Sequence, residues 1–269
     1  AKALRAMPPL RNSARVAAML LALAAAGCER APAAPAAPAA AETGGARERL
    51  GLITSLPLYW PLGAGVEEIA AGRAAPPWQR AALEQDYTLE PLDSLAPIPG
   101  LGAGAPATDP LAGMERLAVI QPRGLSPEDN VALDRWVRAG GHLLLALDPA
   151  LTGEYDMALG DPRRPADSAL IPAVVARWGL AVRFDEAQAD GVAMRTIPGA
   201  ALPLALAGEV TITDPKAAAC VLLAEGAAAR CQVGKGQVTL IADAALFEHR
   251  ELAGDDDLRL RSLVGAALE

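Results

Sequence analysis

Residues 116–147 constrain the fold of this 269-residue chain more than any other stretch. Arg116-Leu117-Ala118-Val119-Ile120-Gln121 is a short, almost wholly apolar run and reads as a buried strand. Ser126-Pro127-Glu128-Asp129 then carries the marks of a helix start: Ser as N-cap, Pro at the first position, acids in the first turn. Val131, Leu133, Trp136 and Val137 form a helical stripe, and Gly140-Gly141 ends it. His142-Leu143-Leu144-Leu145-Ala146-Leu147 is the next strand. Strand, helix and strand in this order make a βαβ unit, whose strands are parallel and joined by a right-handed crossover. The unbroken apolar run Leu143–Leu147 suits a sheet covered on both faces.

The remainder of the chain reads as more of the same α/β domain, spanning 49–269. Arg49–Thr54 and Tyr87–Leu92 are candidate strands, with helical segments at 64–72 and 77–85 between them. The Pro/Gly-rich stretch 93–115 is a loop, as is 148–165. A helix is predicted over Asp167–Trp178, with Pro172 near its first turn, followed by Gly179 and a strand over Leu180–Phe184. Residues 190–232 read as short strands and turns, a small β-rich insertion. The last strand is Gln237–Ala242, entered from Gly234-Lys235-Gly236, and a final helix covers 256–268. Four Trp, three Tyr and two Phe leave the core to Leu, Val, Ile and Ala.

The two ends of the βαβ unit carry a family likeness. Ala118-Val119-Ile120-Gln121-Pro122-Arg123, Leu125-Ser126-Pro127-Glu128 and Ala139-Gly140-Gly141-His142 through Asp148-Pro149 resemble the extracytoplasmic domain of gliding-motility-type ABC-transporter auxiliary proteins. Arg177-Trp178-Gly179-Leu180-Ala181-Val182 and Gly234-Lys235-Gly236 through Asp243 fit the same pattern, so the likeness spans 116–268. It implies the class I glutamine amidotransferase-like superfamily, with a flavodoxin-like, doubly wound, mostly parallel sheet. Members often carry membrane-spanning helices; this chain has none after residue 27. In active amidotransferases of that superfamily a Cys follows a central strand; here Leu147 is followed by Asp148 and Pro149. The resemblance therefore implies a non-catalytic auxiliary or binding subunit, partnered by membrane-embedded transporter subunits.

Other chemistries leave few candidates. There is no G-x-S-x-G, and Gly234-Lys235-Gly236 precedes a strand, so it is a turn and not a phosphate loop. His142 starts a strand and lies at the edge away from ligands, whereas His249 follows the last strand. Asp255-Asp256-Asp257 lacks calcium-loop spacing and reads as a solvated helix start. No cofactor or metal motif is present, and 24 Lys+Arg against 32 Asp+Glu argues against nucleic acid. Cys220 and Cys231 bracket a plausible hairpin and are either a disulfide or two buried small residues. Ligands of doubly wound sheets sit beyond the carboxyl ends of the strands. Those ends supply Ser55, Tyr59, Trp60, Gln121, Arg123, Asp148, Asp243 and His249, and the loop after Asp148 adds Tyr155, Asp161, Arg163 and Arg164. This edge is a candidate surface for a polar ligand or a protein partner; its bland reading is that Asp148 and Asp243 cap backbone and the arginines are solvated. An envelope hydrolase using Asp148 and Asp243, or a small-ligand or carbohydrate receptor, are the alternatives to the auxiliary subunit.

Residues 1–27 read as an export signal: Lys2, Arg5, Arg11 and Arg15 with no acid, then an apolar run, Val16–Gly27, too short to span a membrane. Met7 is a plausible start. Ala25-Ala26-Gly27-Cys28 resembles a bacterial lipobox, with Ala25 where Leu is usual, which implies acylation of Cys28; the alternative is an ordinary signal peptide followed by a chance Cys. By the same resemblance, Glu29 in place of Asp implies the outer over the inner membrane. The Ala/Pro repeats of 28–48 bury nothing and form a semi-extended tether. Without its first 27 residues the chain is strongly acidic, so attachment to a membrane rests on the lipid alone.

Overall fold

A computed structural model describes residues 47–102 and 104–269. The export signal, Cys28 and nearly all of the tether lie outside the described residues. Eleven strands are present among those described: β1 (Glu48–Thr54), β2 (Tyr87–Pro91), β3 (Arg116–Ile120), β4 (His142–Ala146), β5 (Leu180–Arg183), β6 (Val192–Ile197), β7 (Ala200–Ala205), β8 (Glu209–Ile212), β9 (Ala219–Leu223), β10 (Ala228–Val233) and β11 (Gly236–Ile241). The helices are α1 (Val66–Ala70), α2 (Trp78–Leu83), α3 (Pro127–Ala139), α4 (Ala173–Arg177), α5 (Ala245–Glu248) and α6 (Leu258–Leu268). None of these is long and apolar enough to cross a membrane.

The fold is α/β with a mostly parallel central sheet. Its seven strands run in the order β2-β1-β3-β4-β11-β10-β9. The first five are mutually parallel, and β10 and β9 add an antiparallel end. The sheet is open, with β2 and β9 as its edges. Period-2 alternation divides the side chains cleanly. Leu50, Leu52, Ala118, Ile120, Leu144, Ala146 and Ile241 face a core shared with Leu83, Phe247, Leu260 and Leu263. Leu117, Val119, Leu143, Leu145, Val238 and Leu240 face another with Leu133, Val137, Val175 and Trp178. Helices therefore cover both faces, which is why β3, β4 and β11 carry no exposed polar alternate. Trp178 is wholly buried and its indole N–H donates to Asp134 at 2.9 Å.

Helix α3 starts as its sequence demands. The Ser126 hydroxyl accepts from the Asp129 N–H at 3.0 Å while Asp129 reaches back to the Ser126 N–H at 3.1 Å. Ser126→Ala is expected to cost about 1 kcal/mol, read as a downward shift in the chemical-denaturation midpoint. At the other end Gly141 lies under the Trp136 ring, 2.5 Å from where a Cβ would stand, and Gly236 is pressed against the carbonyls of Val137 and Gly141. Both glycines are required by this helix-to-strand packing alone.

Three expectations are corrected. The helix predicted over 167–178 is only α4; Pro172 sits at its N-cap, and a proline ring disfavours helical geometry in the residue before it. The segment ahead of it is instead drawn into the sheet edge, where Ala166 is bonded. The strand after Gly179, β5, leaves the central sheet and pairs antiparallel with β8. The stretch 190–232 is not one insertion: β6 and β7 form a separate hairpin over α6, while β9 and β10 extend the central sheet. Cys220 and Cys231 stand directly opposite on β9 and β10, with Cα atoms 4.0 Å apart, and are joined by a disulfide that pins the edge strand.

Candidate functional site

Because β1, β3, β4 and β11 are parallel, the residues after each gather at one edge: Ser55, Gln121, Asp148 and Asp243. The structure brings these four together as a backbone-clamping network. Gln121, at φ +44° and fully buried, donates from Nε2 to the carbonyls of Asp148 (3.0 Å) and Ala166 (2.8 Å), and its Oε1 accepts from the Asp148 N–H (2.8 Å). The Ser55 hydroxyl donates to the Gln121 carbonyl at 2.6 Å and accepts from the Ala166 N–H at 3.1 Å. Ala166 thus plugs the crevice between the ends of β1 and β3 with the chain's own loop.

Asp148 and Asp243 do the same work one strand further on. Asp148 accepts from the N–H groups of Ala150 and Ala244, both at 2.8 Å; Asp243 accepts from those of Ala205 and Ala245, both at 2.7 Å. They are 0% and 2% exposed, and neither lines a hollow. Burial, with the Glu248 charge adding to it, pushes the Asp148 carboxyl up to about 7. Burial and the neighbouring Asp148 push Asp243 up to about 8. Both side chains tie strand ends to loops and present no free oxygen to a substrate.

The accessible chemistry lies just outside this network. Two hollows of about 390 and 380 Å³ open side by side and share Pro57, Pro61 and Leu62 as a dividing ridge. The second is walled by Pro76, Pro77, Trp78 and Tyr155, with Glu154, Glu248 and His249 at its polar side. Helix α5, directly after β11, carries Glu248. One carboxylate oxygen accepts the Tyr155 O–H at 2.7 Å; the other accepts the N–H groups of Thr152 and Gly153, both at 3.2 Å. Burial, then the bond to Glu248, pushes the Tyr155 hydroxyl well above its ordinary value. Gly153 is packed so closely on Glu248 that a Cβ there would collide with the carboxylate. His249 Nε2 lies 2.9 Å from the Thr152 hydroxyl and Nδ1 3.5 Å from Glu251. Gln79 fixes α2 to α5 through a buried 2.8 Å bond to the Phe247 carbonyl. The first hollow holds Tyr59, Trp60, Asp93 and Arg163, with the Arg80 guanidinium 4.1 Å from the Tyr59 ring centroid.

The residues named from sequence therefore divide. Gln121, Asp148 and Asp243 are structural clamps; Ser55 is a clamp that also lines the first hollow, and Tyr59, Trp60, Tyr155, Arg163 and His249 line the hollows. Arg163 also pairs with Asp161 at 2.8 Å, and Arg164 holds the carbonyls of Tyr155 and Met157 and the Asp167 carboxylate, shaping the loop. Arg123 is exposed on the surface. Glu248, Trp78 and Thr152 were not singled out by sequence. The available signal was that Glu248 directly precedes His249 after the last strand.

No family model matches the chain, and no curated protein matches it. Solved structures are similar to it at low identity. An exo-β-1,4-mannosidase from Opitutaceae bacterium strain TAV5 matches at 11% identity and a TM-score of 0.47, over 83% of this chain and 36% of that one. A β-galactosidase from Bacillus circulans sp. alkalophilus matches at 10% and 0.45, over 82% and 30%, and one from Rahnella sp. R3 at 12% and 0.42, over 82% and 31%. This chain spans about a third of the length of each. At these scores the likeness assigns neither a substrate nor a reaction. The expected kinship with gliding-motility ABC auxiliary proteins is not upheld: no family model matches the chain, and the solved structures similar to it are a mannosidase and β-galactosidases. The glycine motifs that carried it are demanded by local packing, as Gly141 and Gly236 show, and so occur wherever a helix turns tightly into a strand. The non-catalytic transport subunit falls with that kinship, and transporter partners, implied by it alone, lose their basis. The expectation of no enzymatic activity, which rested on that kinship and on the missing Cys, is withdrawn with it. A missing Cys excludes thiolate chemistry only, and acid–base hydrolysis runs on carboxylates.

Proposed function

We propose that this chain recognises a carbohydrate at the carboxyl edge of its sheet, in the hollow beside α5. The observation that carries the reading is the convergence of an apolar wall, Trp78 with Pro76 and Pro77, on an oriented carboxylate, Glu248, and an imidazole, His249. A sugar ring has an apolar C–H face that lies on such a wall and a rim of hydroxyls that needs acceptors and donors. Glu248 retains capacity to accept a hydroxyl beyond its three internal partners, and Tyr155, Thr152 and Gly153 hold it in one rotamer. A hydrolase built on Asp148 and Asp243 is disfavoured, because their oxygens are buried against backbone N–H groups.

Two further readings belong with this one. The parallel strand order β2-β1-β3-β4-β11 follows the 2-1-3-4-5 order of flavodoxin-like sheets, which supports a doubly wound, flavodoxin-like fold. An export signal and an acylated Cys28 would place the site at the cell envelope, and the Cys220–Cys231 bond suits such an oxidising compartment.

The test is a saccharide panel read by thermal shift and by Trp fluorescence. Binding of a neutral sugar is expected, with at least a 10-fold loss in Glu248→Gln and a melting temperature retained to within a few degrees. The same incubations, assayed for new reducing ends, separate binding from cleavage. No response to any saccharide would overturn the reading.

A further inference from the structure

We infer that the ligand is a neutral oligosaccharide long enough to cross from one hollow into the other; this rests on the carbohydrate reading above. The two hollows are of nearly equal size, about 390 and 380 Å³, and are parted only by the ridge of Pro57, Pro61 and Leu62, which lines both. Each has its own aromatic platform: Trp78 in the hollow beside α5, Tyr59 and Trp60 in the hollow beyond the ends of β1 and β2. Trp60 is 50% exposed, unusual for the largest apolar side chain in a chain with only four. Its ring is held edge-on to Tyr59, centroids 4.7 Å apart, and Arg80 packs over Tyr59 from α2. Arg80 is in turn fixed by Glu84 at 2.7 Å, so the second platform is built and not a stray surface aromatic.

A ring seated on Trp78 occupies the hollow beside α5, and further units of the same chain would cross the ridge to Trp60. Neutrality follows from charge. Glu154 and Glu248 line one hollow and Asp93 the other, while the nearby guanidinium groups are already paired, Arg163 with Asp161, Arg80 with Glu84 and Arg250 with Asp257. In a chain of net charge −8, an anionic polysaccharide would be repelled.

The experiment titrates the full chain with β-1,4-linked manno- and gluco-oligosaccharides of one to six units, followed by Trp quenching. Affinity is expected to rise at least 10-fold between the monosaccharide and the tetrasaccharide. Trp60→Ala is expected to flatten that rise, so that the tetrasaccharide binds no better than the disaccharide, and a uronate oligomer is expected to bind more weakly than its neutral counterpart. Equal affinity for one unit and six, or an undiminished rise in Trp60→Ala, would overturn the two-hollow inference and leave the sugar reading standing. Absence of binding at every length would overturn both.

Discussion

Stability is expected to fall as the pH rises from 5 to 8. Asp148 and Asp243 are the cause. In the unfolded chain both ionise near pH 4. In the folded protein burial holds them at about 7 and about 8, with Asp148 raising Asp243 further. Between those limits the folded state binds more protons than the unfolded state, so the unfolding free energy declines with pH. The contribution is complete below about pH 4 and is lost as the pH passes through the folded values. A tenfold difference in proton affinity between the two states is worth about 1.4 kcal/mol, so a single such carboxyl costs about 3 kcal/mol between pH 5 and 8. Asp86, Asp129 and Asp134 have lowered values and act oppositely, but only as the pH falls below about 4. Denaturant midpoints at pH 5, 6.5 and 8 check this. Asp243→Asn should be weaker than the natural protein at pH 5, because its amide nitrogen faces the N–H of Ala205 or Ala245, yet show a flatter dependence, so the two curves converge toward pH 8. A natural protein equally stable at pH 5 and 8 would refute the buried-pair account.

Much of this architecture is legible in the sequence, for a physical reason. The β3–α3–β4 unit announces itself because local signals agree: a Ser-Pro-Glu-Asp start, a helical stripe, a Gly-Gly stop and strands apolar enough to be covered twice. The edge at which Ser55, Gln121, Asp148 and Asp243 meet follows from parallel strands alone. Their role does not. Whether a carboxylate after a strand faces solvent or swallows two backbone N–H groups is decided by loops such as 148–172, whose course depends on contacts more than forty residues away, as between Gln121 and Ala166. The same long range hides β5, which leaves the sheet to pair with β8, and Glu248, whose partners Thr152, Gly153 and Tyr155 are over ninety residues distant. Glycine spacing misled about kinship because it reports packing, not descent.

Gln121→Ala should be among the most damaging single substitutions at this edge. The side chain makes three hydrogen bonds that no neighbour can replace: to the Asp148 carbonyl, to the Ala166 carbonyl and from the Asp148 N–H. Truncation leaves the buried Asp148 N–H and the Ala166 carbonyl without these partners, while the Asp148 carbonyl keeps the Ala169 N–H at 2.8 Å. An orphaned buried N–H costs about 1–3 kcal/mol, and the void and the weakened carbonyls bring the expected loss to about 3–5 kcal/mol. Alanine gains nothing at φ +44°, a conformation that also strains Gln. Gln121→Glu separates the contributions. It keeps the acceptor for the Asp148 N–H but removes the donor, and it adds a third acid near two carboxyls already held above their ordinary values. Its deficit should therefore grow from pH 5 to 8, whereas that of Gln121→Ala should change far less over that range. In both variants the loop that carries Ala166 loses one of its two anchors and keeps only the Ser55 hydroxyl, so the Asp148 amide should exchange with solvent faster and 148–172 should be cut earlier by protease. Because this loop also carries Arg163 and Tyr155 to the two hollows, sugar binding should weaken along with it. A Gln121→Ala protein within about 1 kcal/mol of the natural one, with unchanged exchange at Asp148, would show that the plug is held by something other than this amide.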